Sequence, residues 1–255
     1  MTWSKILISG AAFVLLFPGL AGAQSAVPAA AHAKRSIRAV KITAPPLLDG
    51  NLNDSAWERA TASVGFTQRD PLEGQPSSEK TEFRVAYTPT TLFVAVVCYD
   101  RDGAGILASD RRRDSSLAND DMLSLVIDTF HDHRNAYLFR TNPLGTQYDA
   151  LITDEGRSIN ENWDEKWDVA ARVIEGGWTA EFAIPFKSLR MKDAQGAQSW
   201  GLDIERVIRR KNEFSNWNSF SRNYKLENVS QSGHLDGLEG IDKSFHVGTT
   251  ATEII

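Results

Sequence analysis

Apolar and polar residues alternate with a period of two along much of the chain, and this pattern most constrains the fold. Over 81–87, Phe83, Val85 and Tyr87 alternate with Glu82 and Arg84, which is typical of a strand with one face against a core. The run 91–99 is almost continuously apolar, which predicts a strand covered on both faces. The other predicted strands are equally short and span 122–128, 136–142, 146–152, 167–174, 178–184, 200–209 and 217–221.

Turn residues separate these runs, and no long amphipathic helix is predicted between them. Turn chemistry is present in Asn-Pro-Leu-Gly at 142–145 and in Glu-Gly-Gly at 175–177. Asp54 or Ser55 can cap a short helix, and Pro185 can begin a helical turn. The chain is therefore predicted to be all-β. We expect a two-sheet antiparallel β-sandwich, jelly-roll or immunoglobulin-like, with short peripheral helices.

The amino-terminal residues predict export. Lys5 precedes an apolar run at 6–20, and Ala-Gly-Ala at 21–23 offers small residues to a signal peptidase. A proline and a glycine interrupt the apolar run, which disfavours a permanent membrane anchor. The expected location is therefore periplasmic, cell-surface or secreted. The predicted organisation is a signal peptide over 1–23, a flexible segment over 24–38, the β-sandwich over 39–245 and a tail over 246–255.

The charge distribution argues against a nucleic-acid partner. The formal net charge is -5 at pH 7, whereas nucleic-acid-binding domains are usually basic. The basic cluster Arg111 to Arg113 lies among acidic residues and is interpreted as a solvated loop.

Hydrophobic phase sorts the seven tryptophans into core and surface candidates. Three are in phase with apolar neighbours and are predicted to be core: Trp167, Trp178 and Trp200. Trp57 is expected to plug the sheet from a short helix. Trp163 and Trp217 stand in polar stretches, and an exposed indole can lie against the C–H face of a sugar. The alternative is that each covers an edge of the sandwich.

Polar residues at the ends of two predicted strands complete a candidate sugar site. Arg140 and Asn142 close one strand, and Gln147 and Asp149 lie on the next strand after a four-residue turn. The predicted ligand-binding residues are Trp217, Trp163, Arg140, Asn142, Gln147 and Asp149. The alternative is that Arg140 and Asp149 form only a cross-strand ion pair, without ligand recognition.

The order of segments resembles the carbohydrate-binding module family 9-like domain over nearly the whole predicted sandwich. The resemblance begins with Leu-Asp-Gly-Asn-Leu-Asn-Asp-Ser-Ala-Trp at 48–57 and ends with Gly-His-Leu-Asp-Gly-Leu-Glu-Gly-Ile at 233–241. The landmarks between them are Arg-Val-Ala-Tyr followed by Leu-Phe-Val, and then the stretches 120–128, 137–140 and 177–185. Such domains are β-sandwiches, which agrees with the fold predicted from the alternation.

The resemblance also implies where a sugar would bind. Members attached to xylanases hold the ends of sugar chains between two tryptophans, and Trp217 matches the later one. The earlier tryptophan position holds Leu117 or Ala118, and Ser124 stands where those members carry a glutamate in the middle strand. The first half of the clamp therefore departs from the family pattern.

The function implied by the resemblance is an exported, non-catalytic module that binds a polysaccharide or oligosaccharide. Its role would lie in polysaccharide breakdown or uptake, with a family-level link to the hydrolysis of O-glycosyl compounds. The closer resemblance is to a subgroup that precedes an outer-membrane β-barrel region. One alternative is thus a structural or interaction domain that partners such a barrel. Another is a haem-binding sandwich that uses Met122 and a histidine as axial ligands.

No catalytic residue is predicted. The sequence contains neither a Gly-X-Ser-X-Gly elbow nor a Walker loop, and Cys98 falls in a core-like strand. His131 and His133 could contribute to a zinc site, but a clear third ligand is missing. No cofactor is expected other than structural calcium, for which three acidic residues are candidates. They are Asp120, Asp121 and Asp128.

Overall fold

Two β-sheets packed face to face form the domain, as the alternation predicts. The computed structural model describes residues 1, 33–192 and 196–242, so the predicted signal peptide beyond Met1, most of the segment 24–38 and the tail 246–255 lie outside the described residues. The described residues contain fourteen strands and one four-residue α-helix, α1 (Ser55–Glu58). No helix within these ranges is long and apolar enough to cross a membrane.

The larger sheet has nine strands. They are β1 (Ser36–Arg38), β3 (Thr67–Asp70), β6 (Met122–Asp128), β7 (Ala136–Thr141), β8 (Tyr148–Thr153), β9 (Ser158–Asn160), β12 (Gln198–Ile208), β13 (Glu213–Asn216) and β14 (Gly233–Leu238). Their order is β1-β14-β12-β6-β7-β8-β9, with β13 beside β12 and β3 beside β13. The long strand β12 thus pairs with β6 along one edge and with β14 and then β13 along the other.

The smaller sheet has five strands. They are β2 (Val40–Lys41), β4 (Thr81–Tyr87), β5 (Thr91–Tyr99), β10 (Asp168–Ile174) and β11 (Gly177–Pro185). Their order is β10-β11-β5-β4-β2. Neighbouring strands are antiparallel in both sheets, except for the pairs β1–β14 and β2–β4, which are parallel.

The main core lies between the inner faces of the two sheets. Leu123, Leu125 and Ile127 of β6 pack in one cluster with Val94 and Val96 of β5, and all five are fully buried. Burial of such a side chain contributes about 1.5–3 kcal/mol, so this cluster is the main source of cohesion between the sheets.

The tryptophans predicted to be core are buried. Trp167, Trp178 and Trp200 all belong to the inter-sheet cluster, which confirms the strand phase. Trp57 is buried on the other face of the smaller sheet, where its Nε1 donates a hydrogen bond of 2.8 Å to Glu181. Cys98 is buried and free, as expected.

Three predicted strands, 81–87, 91–99 and 122–128, match β4, β5 and β6 residue for residue. The prediction of a strand over 217–221 is wrong, because β13 occupies Glu213–Asn216 instead. The prediction that the segment 24–38 is flexible is also wrong at its end, because β1 pairs with β14 there. A three-residue strand is too short to show alternation, and its pairing depends on a partner far away in the chain.

The outer face of the larger sheet is partly covered by the segment 218–232. Leu226 and Val229 of this segment pack on Val126, Leu138 and Ala150 in a second buried cluster. The neighbouring part of the same outer face remains open, and it forms a cavity.

Candidate functional site

An open cavity of about 330 Å³ lies on the outer face of the larger sheet, beside the segment 218–232. Strands β3, β6, β7, β12 and β13 contribute to its lining, together with the loop that precedes β6. The lining residues are Arg69, Ser116, Leu117, Ala118, Asp120, Met122, Arg140, Glu205, Val207, Arg209, Phe214, Lys225 and Glu227.

A row of polar side chains crosses this face of the sheet. Asn216 of β13 lies opposite Glu205 of β12, Glu205 opposite Ser124 of β6, and Ser124 opposite Arg140 of β7. Arg140 in turn lies opposite Tyr148 of β8. Directly opposed residues of antiparallel strands share a face, so the five side chains form one line across five strands.

Arg140 is held in place by three contacts. Its Nε donates to Ser124 Oγ at 3.2 Å, and its Nη2 donates to Glu227 Oε1 at 2.8 Å. Its guanidinium also lies 5.1 Å from the ring centroid of Tyr148. The guanidinium is therefore a fixed hydrogen-bond donor at the cavity.

Glu205 is a buried carboxyl group with an unused acceptor. Its side chain is 6% exposed, and Arg69 Nη1 lies 3.3 Å from Oε2, yet Oε2 accepts no hydrogen bond from the described residues. Burial raises the pKa of Glu205 to about 7, against the opposing effect of Arg69. The side-chain amide of Asn216 likewise has no hydrogen-bond partner among the described residues. Buried polar groups normally have partners, so these unsatisfied atoms are unusual, but they are closed off from solvent and Asn216 does not line the cavity.

An apolar patch adjoins the polar row. Leu117, Met122 and Val207 form a small buried cluster with Phe214 packed against it. The guanidinium of Arg69 lies over the Phe214 ring, 4.9 Å from its centroid. A ligand with one C–H face and several hydroxyl groups matches this combination of apolar and polar surfaces.

Trp217 does not form the predicted exposed platform. It is 1% exposed, its ring centroid lies 5.1 Å from that of Phe83 in the core, and its Nε1 donates to Ser63 Oγ at 2.8 Å. Its backbone N–H bonds to Ile204, which extends the pairing with β12 by one residue. The expectation of an exposed indole at this position is therefore wrong, and the aromatic residue at the cavity is Phe214.

Trp163 covers an edge of the core. It is half-buried, and its ring centroid lies 5.0 Å from that of Tyr137 and 6.1 Å from that of Phe139. This is the alternative that the sequence left open. Neither Trp163 nor Trp217 belongs to the lining of the cavity.

Asn142 is a buried structural residue. Its Nδ2 donates to Asp120 Oδ2 and to the carbonyl of Asp110, both at 2.7 Å. Its Oδ1 accepts from the backbone N–H groups of Leu144 and Thr146. All of its hydrogen-bonding capacity is thus used in shaping the turn after β7.

Gln147 and Asp149 contact Arg113 and Trp167 rather than the cavity. Asp149 accepts from Trp167 Nε1 at 3.1 Å and from Arg113 at 2.8 Å. Gln147 donates to the carbonyl of Trp167 and accepts from Arg113. The alternative ion pair with Arg140 is also wrong, because Asp149 lies opposite Phe139, one position along β7 and therefore on the other face. Of the six predicted ligand residues, Arg140 alone lines the cavity.

Three imidazoles lie together at the far end of β6. His131 has ring-centroid distances of 4.7 Å to His133 and 5.1 Å to His234. His131 and His133 have positive φ angles of 48° and 59°, so they lie in a turn and not in the extended segment that the sequence suggested. Within the described ranges, no three or more His, Cys, Asp or Glu side chains are arranged to hold a metal ion.

Two cofactor hypotheses conflict with the length of β6. Asp121 and Asp128 are separated by the strand, which spans roughly 20 Å at 3.3 Å per residue, so they cannot share a calcium ion with Asp120. Met122 opens the strand at the cavity, whereas His131 and His133 follow its other end. These residues therefore cannot ligate one haem iron from opposite sides.

A larger cleft of about 720 Å³ lies along β1 and β2. The aromatic residue in its lining is Tyr87, which is 2% exposed and whose hydroxyl donates to the carbonyl of Gly237 at 3.1 Å. The smaller cavity is the better site because it combines fixed charged side chains with a half-buried aromatic residue, Phe214.

Four residues of the cavity lining were not predicted from the sequence: Arg69, Glu205, Phe214 and Glu227. Glu205 lies in the predicted strand 200–209, on the face opposite to Trp200 and Ile204. A carboxyl group on the outer face of a predicted strand could therefore have been identified from the alternation. Nothing in the local sequence indicates that Glu227, from a distant segment, pairs with Arg140.

Comparison with known proteins agrees with this architecture. A family model described as Carbohydrate family 9 binding domain-like matches residues 48–226. A solved structure of a candidate carbohydrate-binding protein from Bacteroides uniformis is similar, with a TM-score of 0.65 at 11% identity over 80% of this chain and 99% of that chain. A search of curated protein sequences gives no match.

A carbohydrate binding module family 9 from Caldicellulosiruptor kristjanssonii is similar in two complexes. The complex with glucose has a TM-score of 0.59 at 15% identity over 83% of this chain and 100% of that chain. The complex with cellotriose has a TM-score of 0.58 at 15% identity over 82% of this chain and 95% of that chain. At such identities these likenesses establish the β-sandwich fold.

Proposed function

The chain belongs to the carbohydrate family 9 binding domain-like family, and on this premise we propose that it is an exported, non-catalytic module that binds saccharides. The observation that carries the proposal is the cavity on the outer face of the larger sheet, where a polar row adjoins an apolar patch. The signal-peptide pattern over 1–23 supports export. Its role would be to hold an associated enzyme or receptor on a polysaccharide during breakdown or uptake.

The cavity offers complementary contacts to a pyranose ring. Arg140 offers a positioned donor to a hydroxyl group, beside the carboxyl groups of Glu205 and Glu227 in the lining. Leu117 and Phe214 can cover the C–H face of the ring. The two glutamates at the cavity each lie beside an arginine, in the pairs Arg69–Glu205 and Arg140–Glu227, which supports a binding role for these charges over a catalytic one.

Truncation of Phe214 tests this site. Cellotriose, found in the complex of the similar structure, is the first ligand to use. We expect Phe214→Ala to weaken cellotriose binding by about tenfold or more in calorimetric titration, because loss of apolar contact at a pocket costs about 1–3 kcal/mol. The folded state should persist, since Phe214 is only half-buried.

Tyr99→Ala is the matched control. Tyr99 is also a partly exposed aromatic residue under a cation, with Lys80 Nζ 4.7 Å from its ring centroid, but it lies on the smaller sheet. Its truncation should leave cellotriose affinity unchanged. Equal losses in both variants would contradict the assignment of the site.

A second candidate function is an interaction domain that partners an outer-membrane barrel. It is favoured by the burial of Trp217 and by the lack of a tryptophan at Leu117 or Ala118, because the resemblance implies a clamp of two tryptophans. Two results together would establish this second function over the first. The protein would bind no glycan of a broad array, and it would cross-link to an outer-membrane protein in cells.

A further inference from the structure

Two cations at the proposed saccharide site have no counterion. Three basic residues follow one another after β12, and two of them form ion pairs at 2.6 Å: Arg210 with Asp100, and Lys211 with Glu79. Arg209 lines the cavity, and its guanidinium makes no ion pair or hydrogen bond with any residue that the structure describes. Arg210 and Lys211 are thus neutralised by carboxylates, whereas Arg209 of the same turn lines the cavity without one.

Lys225 supplies the second cation. It is exposed and lines the same cavity, and within the described part of the chain its ammonium group contacts no carboxylate. Its backbone is anchored, because Leu226 and Val229 are buried and Asn228 Nδ2 donates to the carbonyl of Glu155 at 2.9 Å. The ammonium group therefore extends from a fixed point at the rim of the cavity.

The other charges of the cavity largely balance one another. Arg140 pairs with Glu227 at 2.8 Å, and Arg69 lies beside Glu205 at 3.3 Å. Asp120 is a third carboxylate of the lining, and its hydrogen bonds come from neutral groups. The raised pKa of Glu205 reduces the negative charge near neutral pH. The lining thus holds four cationic side chains against three carboxyl groups, so its charge is positive although the whole chain has a formal net charge of -5.

We propose that this site selects saccharides that carry a carboxylate, such as those containing a uronic acid residue, with Arg209 and Lys225 as the groups that bind the carboxylate. This inference rests on the proposed saccharide-binding function. A guanidinium matches a carboxylate with two parallel hydrogen bonds. A neutral sugar would leave both cations uncompensated, whereas a uronate supplies the missing counterion.

Acidic sugars compared with their own methyl esters provide the test. Trigalacturonate and an aldotetraouronic acid from glucuronoxylan would be titrated calorimetrically against the full chain, each beside its methyl ester, with cellotriose as the neutral reference. At 50 mM NaCl we expect the acids to bind about tenfold more tightly than the esters, and this preference should shrink at 300 mM NaCl because salt screens exposed charges.

The double variant Arg209→Gln with Lys225→Gln should lose this preference, so that each acid binds no more tightly than its own methyl ester. Arg157→Gln removes one positive charge elsewhere, at a side chain that is 79% exposed and pairs with Asp154, and it should keep the preference. An equal loss in the Arg157 control would overturn the inference, because it would show a general charge effect.

Two further outcomes separate this inference from the function on which it rests. If cellotriose binds but the acids and their esters bind equally, the selectivity for uronates is refuted and saccharide binding stands. If the chain binds neither cellotriose nor any acidic sugar, the saccharide function fails and the selectivity fails with it.

Discussion

Residues of β13 and the residue after it show how closely core positions and cavity positions alternate in this fold. Phe214 points to the outer face and the cavity, whereas Ser215 and Trp217 point to the inter-sheet side. The sequence places Phe214 and Trp217 in opposite phase, but it does not say which phase faces outward. The larger indole fills the core beside Phe83, where more apolar area is removed from water, and the smaller ring of Phe214 lies at the cavity.

Glu205 links the site to pH-dependent stability. Burial raises its pKa in the folded chain to about 7 from the ordinary value of 4.5, and the charges that act on it are Arg69, Glu227, Arg140 and Asp70. A raised carboxyl pKa stabilises the folded state below the unfolded pKa, and this contribution is lost as pH rises through 7. The free energy of unfolding should therefore fall between pH 5 and pH 8.

The variant Glu205→Gln should remove about 2–3 kcal/mol of this fall, as measured by urea unfolding at pH 5 and pH 8. Other buried carboxyl groups contribute in the same direction, so the quantity to compare is the difference between wild type and variant. Glu175→Gln, at an exposed hairpin position, should leave the pH dependence unchanged. An identical fall in the Glu205 variant would show that its carboxyl is ionised throughout this range.

At the scale of elements, the hairpin between β10 and β11 depends on two glycines with different constraints. Gly176 has φ +78°, and no atom lies within 4 Å of the place where a Cβ would stand. Gly177 has φ +150°, and a Cβ there would lie 2.1 Å from the carbonyl oxygen of Cys98. The second glycine therefore allows β11 to pair with β5 at the centre of the smaller sheet.

Alanine at the two positions should separate backbone strain from steric exclusion. Gly176→Ala should cost about 1 kcal/mol, the usual penalty for a left-handed non-glycine residue. Gly177→Ala should cost about 3 kcal/mol or more, because the strand pairing must shift to admit the methyl group. Thermal unfolding of both variants measures the difference, and equal costs would contradict the close approach of Cys98.

At the scale of the whole molecule, Arg206 ties the two sheets together through a polar contact inside the core. It belongs to β12 of the larger sheet and is fully buried. Its guanidinium donates to the carbonyls of Lys80 and Tyr99 and to Thr81 Oγ1, at 2.8–3.0 Å. These acceptors belong to the smaller sheet and its flanks, so the contact sets how the two sheets meet.

Arg206→Met should therefore lower the free energy of unfolding by about 3–5 kcal/mol, because it leaves buried acceptors without a donor. Denaturant unfolding followed by tryptophan fluorescence would measure the loss. Arg84→Met is the control, since Arg84 is 25% exposed and pairs with Glu82 on the same strand, and it should cost at most about 1 kcal/mol. A small effect at Arg206 would mean that apolar packing alone holds the sheets together.

Local patterns in the sequence are sufficient to predict the β-sandwich class, the bounds of β4, β5 and β6, and the burial of Trp167, Trp178 and Trp200, because alternation and apolar runs are local properties of a strand. The candidate site, by contrast, depends on tertiary contacts. Only pairing across the sheet places Glu205 beside Ser124 and Arg140, and only the return of the segment 218–232 brings Glu227 to Arg140. Those contacts join residues far apart in the chain, and their energies depend on distances and burial that the local sequence does not contain.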